Sequence, residues 1–155
     1  MEGTKPMTNA LTLRDVQADK DGRTLHLTYA DGVALDIDLK PIIQRHPTLR
    51  PLAEAGVFRQ AKLGPWGGTV TWGSDELELA ADNLRARAVE QAGGVSHERI
   101  IEWMSRNHLN LDSAAQALGL SRRMLAYYRS GEREIPLTVD LACTGWEVRH
   151  QQLAA

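Results

Sequence analysis

The hydrophobic period of this chain changes once, and that change limits what it can fold into more than any motif does. Up to about Leu79 apolar and polar residues mostly alternate, as on the two faces of a strand, in "LTLRDVQ", "RTLHLTYA" and "VALDIDL". Asp31-Gly32 between the last two predicts a tight hairpin, because Gly accepts the positive φ such a turn needs. "PIIQRHPTLRPLAEAG" reads as a short helical excursion broken by Pro47 and Pro51. Strand character returns in "VFRQAKL", "GTVTW" and "ELEL", with "GPWGG" and "GSD" as turns. From Asp82, "DNLRARAVEQAGG" predicts a helix capped by Asp82 and released at Gly93-Gly94. Residues 1–94 are therefore expected to form a small α+β domain on an antiparallel sheet, and residues 95–155 an all-α domain, giving an α+β chain overall.

Beyond Gly94 every periodic segment is helical. Ser96 is placed to cap "HERIIEWMSRNH", with Ile100, Ile101, Trp103 and Met104 on or near one face and Glu98 set favourably for the helix dipole. Asn110 is expected to cap a helix whose apolar positions are Ala114, Ala115 and Leu118, and Gly119 to end it. Leu120 plugs the corner and Ser121 caps the next helix. There Met124, Leu125 and Tyr128 point one way, and Arg122, Arg123, Ala126, Tyr127 and Ser130 the other. Gly131 ends that helix, and Pro136 suits the first turn of a last one through "LTVDLACTGWEVRH".

Two resemblances rest on these residues. Asp38-Leu39-Lys40-Pro41 after the hairpin, Leu52 followed by Phe58, and Val70 and Trp72 ahead of the acidic Asp75 resemble a bacterial family of domains of unknown function, over roughly Ala10 to Ala88. That family implies a fold and no activity. Ala115, Leu118, Gly119, Leu120, Ser121, Leu125, Gly131 and Pro136 resemble the helix-turn-helix of phage-repressor-like regulators (Cro, cI and XRE types), over about Ser96 to Val148. The resemblance implies sequence-specific binding of double-stranded DNA by a transcriptional regulator, with helix 121–130 in the major groove, which admits one α-helix. Arg122 and Arg123 could then pair with guanine edges or phosphates, Ala126 could touch a thymine methyl, and Ser121, Tyr127 and Ser130 could reach phosphate or base, while Arg129 and Arg133 favour the backbone. Glu132 and Glu134 offset part of this charge, and Leu111 stands where the family often has a polar Gln.

Charge agrees with a local rather than a global nucleic-acid patch: 18 Lys+Arg against 20 Asp+Glu leave a net charge of −2. The lone Cys143 excludes an internal disulfide and fits a reducing compartment; with no apolar signal core in "MEGTKPMTNA" and no membrane-length run, a cytoplasmic protein is expected. A homodimer is expected across a two-fold DNA site, with Trp66 and Trp72 of the sheet domain as the preferred interface, the last helix as a second candidate, and room for a protein partner on the first domain. The alternative function is a protein-interaction or antitoxin-like module whose helix-turn-helix no longer binds DNA.

No enzyme, metal or cofactor site emerges. Asp36 and Asp38 share a strand face but are explained as the solvated side of "VALDIDL". "GPWGGT" lacks the Lys-Ser/Thr ending of a phosphate loop, and "HERIIE" has Ile101 where a zinc-protease helix has its second His. His26, His46, His97, His108 and His150 show no ligand spacing; Trp66 and Trp72 read as core aromatics, and Cys143 as a small buried apolar residue.

Overall fold

The computed structural model describes residues 11–74 and 76–154. The opening decapeptide and Asp75, whose acidic turn entered the first resemblance, lie outside the described residues. The chain divides into two compact units, the first ending at Ala92 and the second beginning at Gly93.

In the first unit, β1 (Leu13–Ala18), β2 (Thr24–Tyr29) and β3 (Ala34–Asp38) form an antiparallel sheet in that order. Leu27 pairs with Val16 on one side and Leu35 on the other, and a bulge lies between Leu13 and Asp15. The alternation reads cleanly in β2, where Leu25, Leu27 and Tyr29 are buried while Thr24, His26 and Thr28 are only half-buried. Gly32 takes φ +87° in the hairpin, and the Tyr29 amide donates to the Val33 carbonyl at 2.9 Å. A second antiparallel sheet, β4 (Lys62–Leu63), β5 (Thr69–Thr71) and β6 (Glu78–Ala80), runs directly into α3 (Ala81–Gln91). The Tyr29 hydroxyl donates to the Ala81 carbonyl at 2.7 Å inside the core.

Four expectations for this unit need correction. The stretch after β3 is not one broken helix: it is α1 (Lys40–Arg45), a 3-10 segment (Pro47–Ala53) that keeps Pro51 inside, and α2 (Ala55–Phe58). Pro41 and Pro47 each occupy a first turn, where the missing N–H costs nothing. "VFRQAKL" is a strand only from Lys62, because Val57 and Phe58 complete α2, and Phe58 packs against Trp72 with ring centroids 6.4 Å apart. Asp82 does not cap α3: the helix starts straight from β6, with extended Ala80 ahead of it and no loop in which a capping side chain could stand. Trp66 is 51% exposed and adopts φ +53°. The buried place in that turn belongs to Gly67, where a Cβ would come within 2.0 Å of the Leu13 carbonyl oxygen.

The second unit holds α4 (Glu98–Arg106), α5 (Leu111–Leu118), α6 (Arg122–Ser130) and α7 (Leu137–Ala154). Ile100, Trp103, Ala114, Leu125, Val139 and Cys143 are buried together as its core. Arg99 reaches Asp140 at 2.6 Å and Arg106 reaches Glu147 at 2.7 Å, tying α4 to α7. Ser96 stands one residue ahead of the cap position: His97 precedes α4 without a side-chain cap bond, the buried Ser96 accepts the Arg99 amide on its carbonyl at 3.0 Å, and Ile101, expected on the apolar face, is 44% exposed. Pro136 sits just ahead of α7, and its carbonyl accepts the amides of Val139 and Asp140. No helix among the described residues is long and apolar enough to cross a membrane.

Candidate functional site

The corner between α5 and α6 is built by local chemistry. Asn110 Oδ1 accepts the Ser113 amide at 2.8 Å while Ser113 Oγ accepts the Asn110 amide at 2.9 Å, a reciprocal cap that fixes where α5 begins. Gly119 at φ +68° stops it, and the Leu120 amide returns to the Ala115 carbonyl at 2.9 Å. One residue later Ser121 Oγ accepts the Met124 amide at 3.1 Å and starts α6. The change of direction thus takes three residues, with a side-chain cap opening α6 and backbone amides returning to the last turn of α5. Ala115, buried at this corner, has no side chain beyond Cβ to hold the helices apart.

Leu125 and Tyr128 anchor α6 in the core, which turns Arg122, Arg123 and Arg129 outward, all exposed. Ala126, Tyr127 and Ser130, expected on the open face, are half-buried. The Ser130 hydroxyl donates to the Tyr127 carbonyl at 3.2 Å and Ser121 Oγ is engaged in its cap, so both hydroxyls already serve the helix ends. Arg122 Nε lies 3.1 Å from Asp112 Oδ1 of α5, an exposed pair that solvent screens. Tyr127 gathers two guanidiniums: Arg123 Nε donates to its hydroxyl at 2.7 Å, and Arg133 lies 5.0 Å from its ring centroid. This clustering was not legible in the sequence for Arg133, because the loop after Gly131 decides where that side chain returns. Arg123 and Arg133 are accordingly brought together at Tyr127, while Arg122 and Arg129 are exposed elsewhere on α6 and the exposed Glu132 and Glu134 flank Arg133 in sequence.

Cys143 is fully buried, and desolvation pushes its thiol up to about 11, so it is no nucleophile at neutral pH. Among the described residues no group of three or more His, Cys, Asp and Glu is placed to hold a metal ion. The first unit brings together residues that spacing alone did not associate. His26 lies between Asp19 (Nε2, 2.9 Å) and Asp36 (Nδ1, 2.7 Å), and Arg85, buried on α3, grips Asp31 at 2.8 Å with its guanidinium over the Tyr29 ring. Asp38 belongs to a similar clasp: Arg23 binds its carboxylate, which holds that group below the usual range, and the Asp38 amide donates to Gln91 at 2.8 Å. A cleft of about 470 Å³ opens between α1, the 3-10 segment, β6 and α3, with Leu49 and Leu84 beside Arg45, His46 and Glu78.

Comparison with known proteins places this architecture. A family model described as a protein of unknown function (DUF2442) matches residues 13–90. The crystal structure of "Putative DNA Binding Protein NE0471" from Nitrosomonas europaea is similar over 88% of this chain and 86% of that one, at 42% identity and a TM-score of 0.81. No curated protein matches the chain. The small antiparallel-sheet unit up to Ala92 is what this match covers, and the chain belongs to the DUF2442 family of proteins of unknown function.

Proposed function

We propose that this protein is a sequence-specific, non-enzymatic binder of double-stranded DNA and a cytoplasmic transcriptional regulator, in which α5 and α6 act as a phage-repressor-type helix-turn-helix. The observation that carries the reading is the placement of Arg122, Arg123 and Arg129 outward on a helix held at a sharp, capped corner. A helix in the major groove needs a second helix to fix its angle against the phosphates, and this corner supplies one. The similar protein from Nitrosomonas europaea bears a DNA-binding name, which supports the same reading. Tyr127 restrains Arg123 and Arg133 before any DNA arrives, so less side-chain freedom is lost on binding. Arg122 and Arg123 read bases or phosphates, Arg129 and Arg133 hold the backbone, and the first unit offers its cleft to a ligand or protein partner.

The test is selection of bound sequences from random duplexes, followed by a binding titration at several salt concentrations. Two copies with four arginines each are expected to give a log-log slope of about −4 to −7, at ~0.9 per phosphate contact. Arg123→Ala should keep the melting profile and lose about 1–3 kcal/mol of binding, mainly at one base pair. Binding indifferent to salt, or no enriched sequence, would instead favour a protein-interaction module, for which exposed Glu132 and Glu134 among the arginines provide a mixed-charge surface.

A further inference from the structure

A carboxylate that orients a guanidinium also offsets its charge, whereas a neutral hydroxyl orients it and leaves the charge whole. Arginines of the second unit divide along that line. Arg99, Arg106 and Arg122 are held by Asp140, Glu147 and Asp112. Arg123 is held by the phenol of Tyr127, one turn further along α6, its Nε donating to the hydroxyl at 2.7 Å. Tyr127 is itself fixed. Its carbonyl accepts the Ser130 hydroxyl at 3.2 Å and the Arg133 amide at 3.4 Å, and the Arg133 guanidinium lies 5.0 Å from its ring centroid.

What matters next is which nitrogens of Arg123 are left. A guanidinium has two edges able to make paired bonds: a side edge shared by Nε and one terminal nitrogen, and an end edge formed by both terminal nitrogens. With Nε given to Tyr127, the side edge cannot grip a phosphate in two bonds, and the exposed Arg123 keeps its end edge. Two parallel N–H donors match O6 and N7 of guanine in the major groove. Arg123 also stands in the first turn of α6, and in a helix-turn-helix the first residues of the second helix reach base edges.

We propose that Tyr127 is the positioning residue that sets Arg123 end-on to a guanine, so that its hydroxyl fixes a base preference through Arg123 rather than by a contact of its own. The proposal rests on the DNA-binding reading of α5 and α6 and adds to it which base is read and what aims the reader. It needs no dimer. Trp72, expected from the sequence to pair two copies, is buried against Phe58 with its Nε1 donating to the Phe58 carbonyl at 3.0 Å, which corrects that expectation.

Duplexes selected from a random pool by the full parent chain supply the probe, and each base pair of the selected site is then replaced in turn. For the parent, replacing one guanine should weaken binding at least about tenfold. Tyr127→Phe keeps the ring beside Arg133 and deletes only the hydroxyl. It should lower the discrimination at that guanine about three- to tenfold, towards that of Arg123→Ala, while melting, salt slope and the other base preferences stay as in the parent. The double variant should discriminate no less than Arg123→Ala alone, because the hydroxyl acts only through the guanidinium. Three results overturn the proposal and spare the DNA-binding reading: a Tyr127→Phe variant with the parent's preference intact, an equal loss at every base pair, or a double variant that discriminates less than Arg123→Ala. A parent that selects no sequence removes that reading and the proposal with it.

Discussion

His26 shows how a single residue can carry a pH dependence. A neutral imidazole has one N–H, yet both ring nitrogens here face carboxylates, and only the imidazolium donates to both. The Asp19 bond first and the Asp36 bond second hold the His26 pKa above its ordinary 6.5. Folded above unfolded means that the stabilisation is complete below about 6.5 and is lost as pH rises through the folded value. Urea midpoints of the first unit are therefore expected to fall as pH climbs past 6.5, and His26→Asn should flatten that part of the profile; a parallel fall in the variant would assign the dependence elsewhere. Half of this arrangement is contained in strand register, since His26 lies opposite Asp36 once β2 and β3 are aligned. Asp19 comes from the turn after β1, and no spacing rule points to it.

Elements were legible where their signals are local. The Asn110, Gly119, Ser121 and Gly131 signals mark the observed ends of α5 and α6, because each acts on backbone groups within a turn of itself. Val57-Phe58 misled for the converse reason: a short apolar run has no period of its own, and tertiary packing on Trp72 decides its state. Two glycines separate backbone conformation from space. Gly119→Ala places a Cβ in the left-handed region with no neighbour within 4 Å, and should cost about 1–2 kcal/mol. Gly67→Ala meets a similar φ of +71° and also the Leu13 carbonyl oxygen at 2.0 Å, so the bulged start of β1 must move and the loss should exceed about 3 kcal/mol. Urea unfolding of both variants checks the order; equal losses would mean that the turn at Gly67 yields freely.

At the scale of the whole molecule, the change from alternating to helical period made the coarse class legible, an antiparallel α+β part followed by helices, because burial on one face writes itself into sequence. What no period conveys is which charged groups meet, such as Arg85 with Asp31 across 54 positions. Each unit has its own buried cluster, one around Leu25, Tyr29, Phe58 and Trp72, the other around Trp103, Leu125 and Cys143. Leu125→Ala should accordingly cost about 2–5 kcal/mol by opening a cavity in the second cluster. Hydrogen exchange should accelerate in α5 and α6 and stay slow in β2; loss of protection in both would show the two clusters melting as one. The family match stops at residue 90, just short of the join between Ala92 and Gly93. A genetic recombination at that join would divide neither buried cluster, so the core of the sheet unit would pass whole to a chain with a different C-terminal companion.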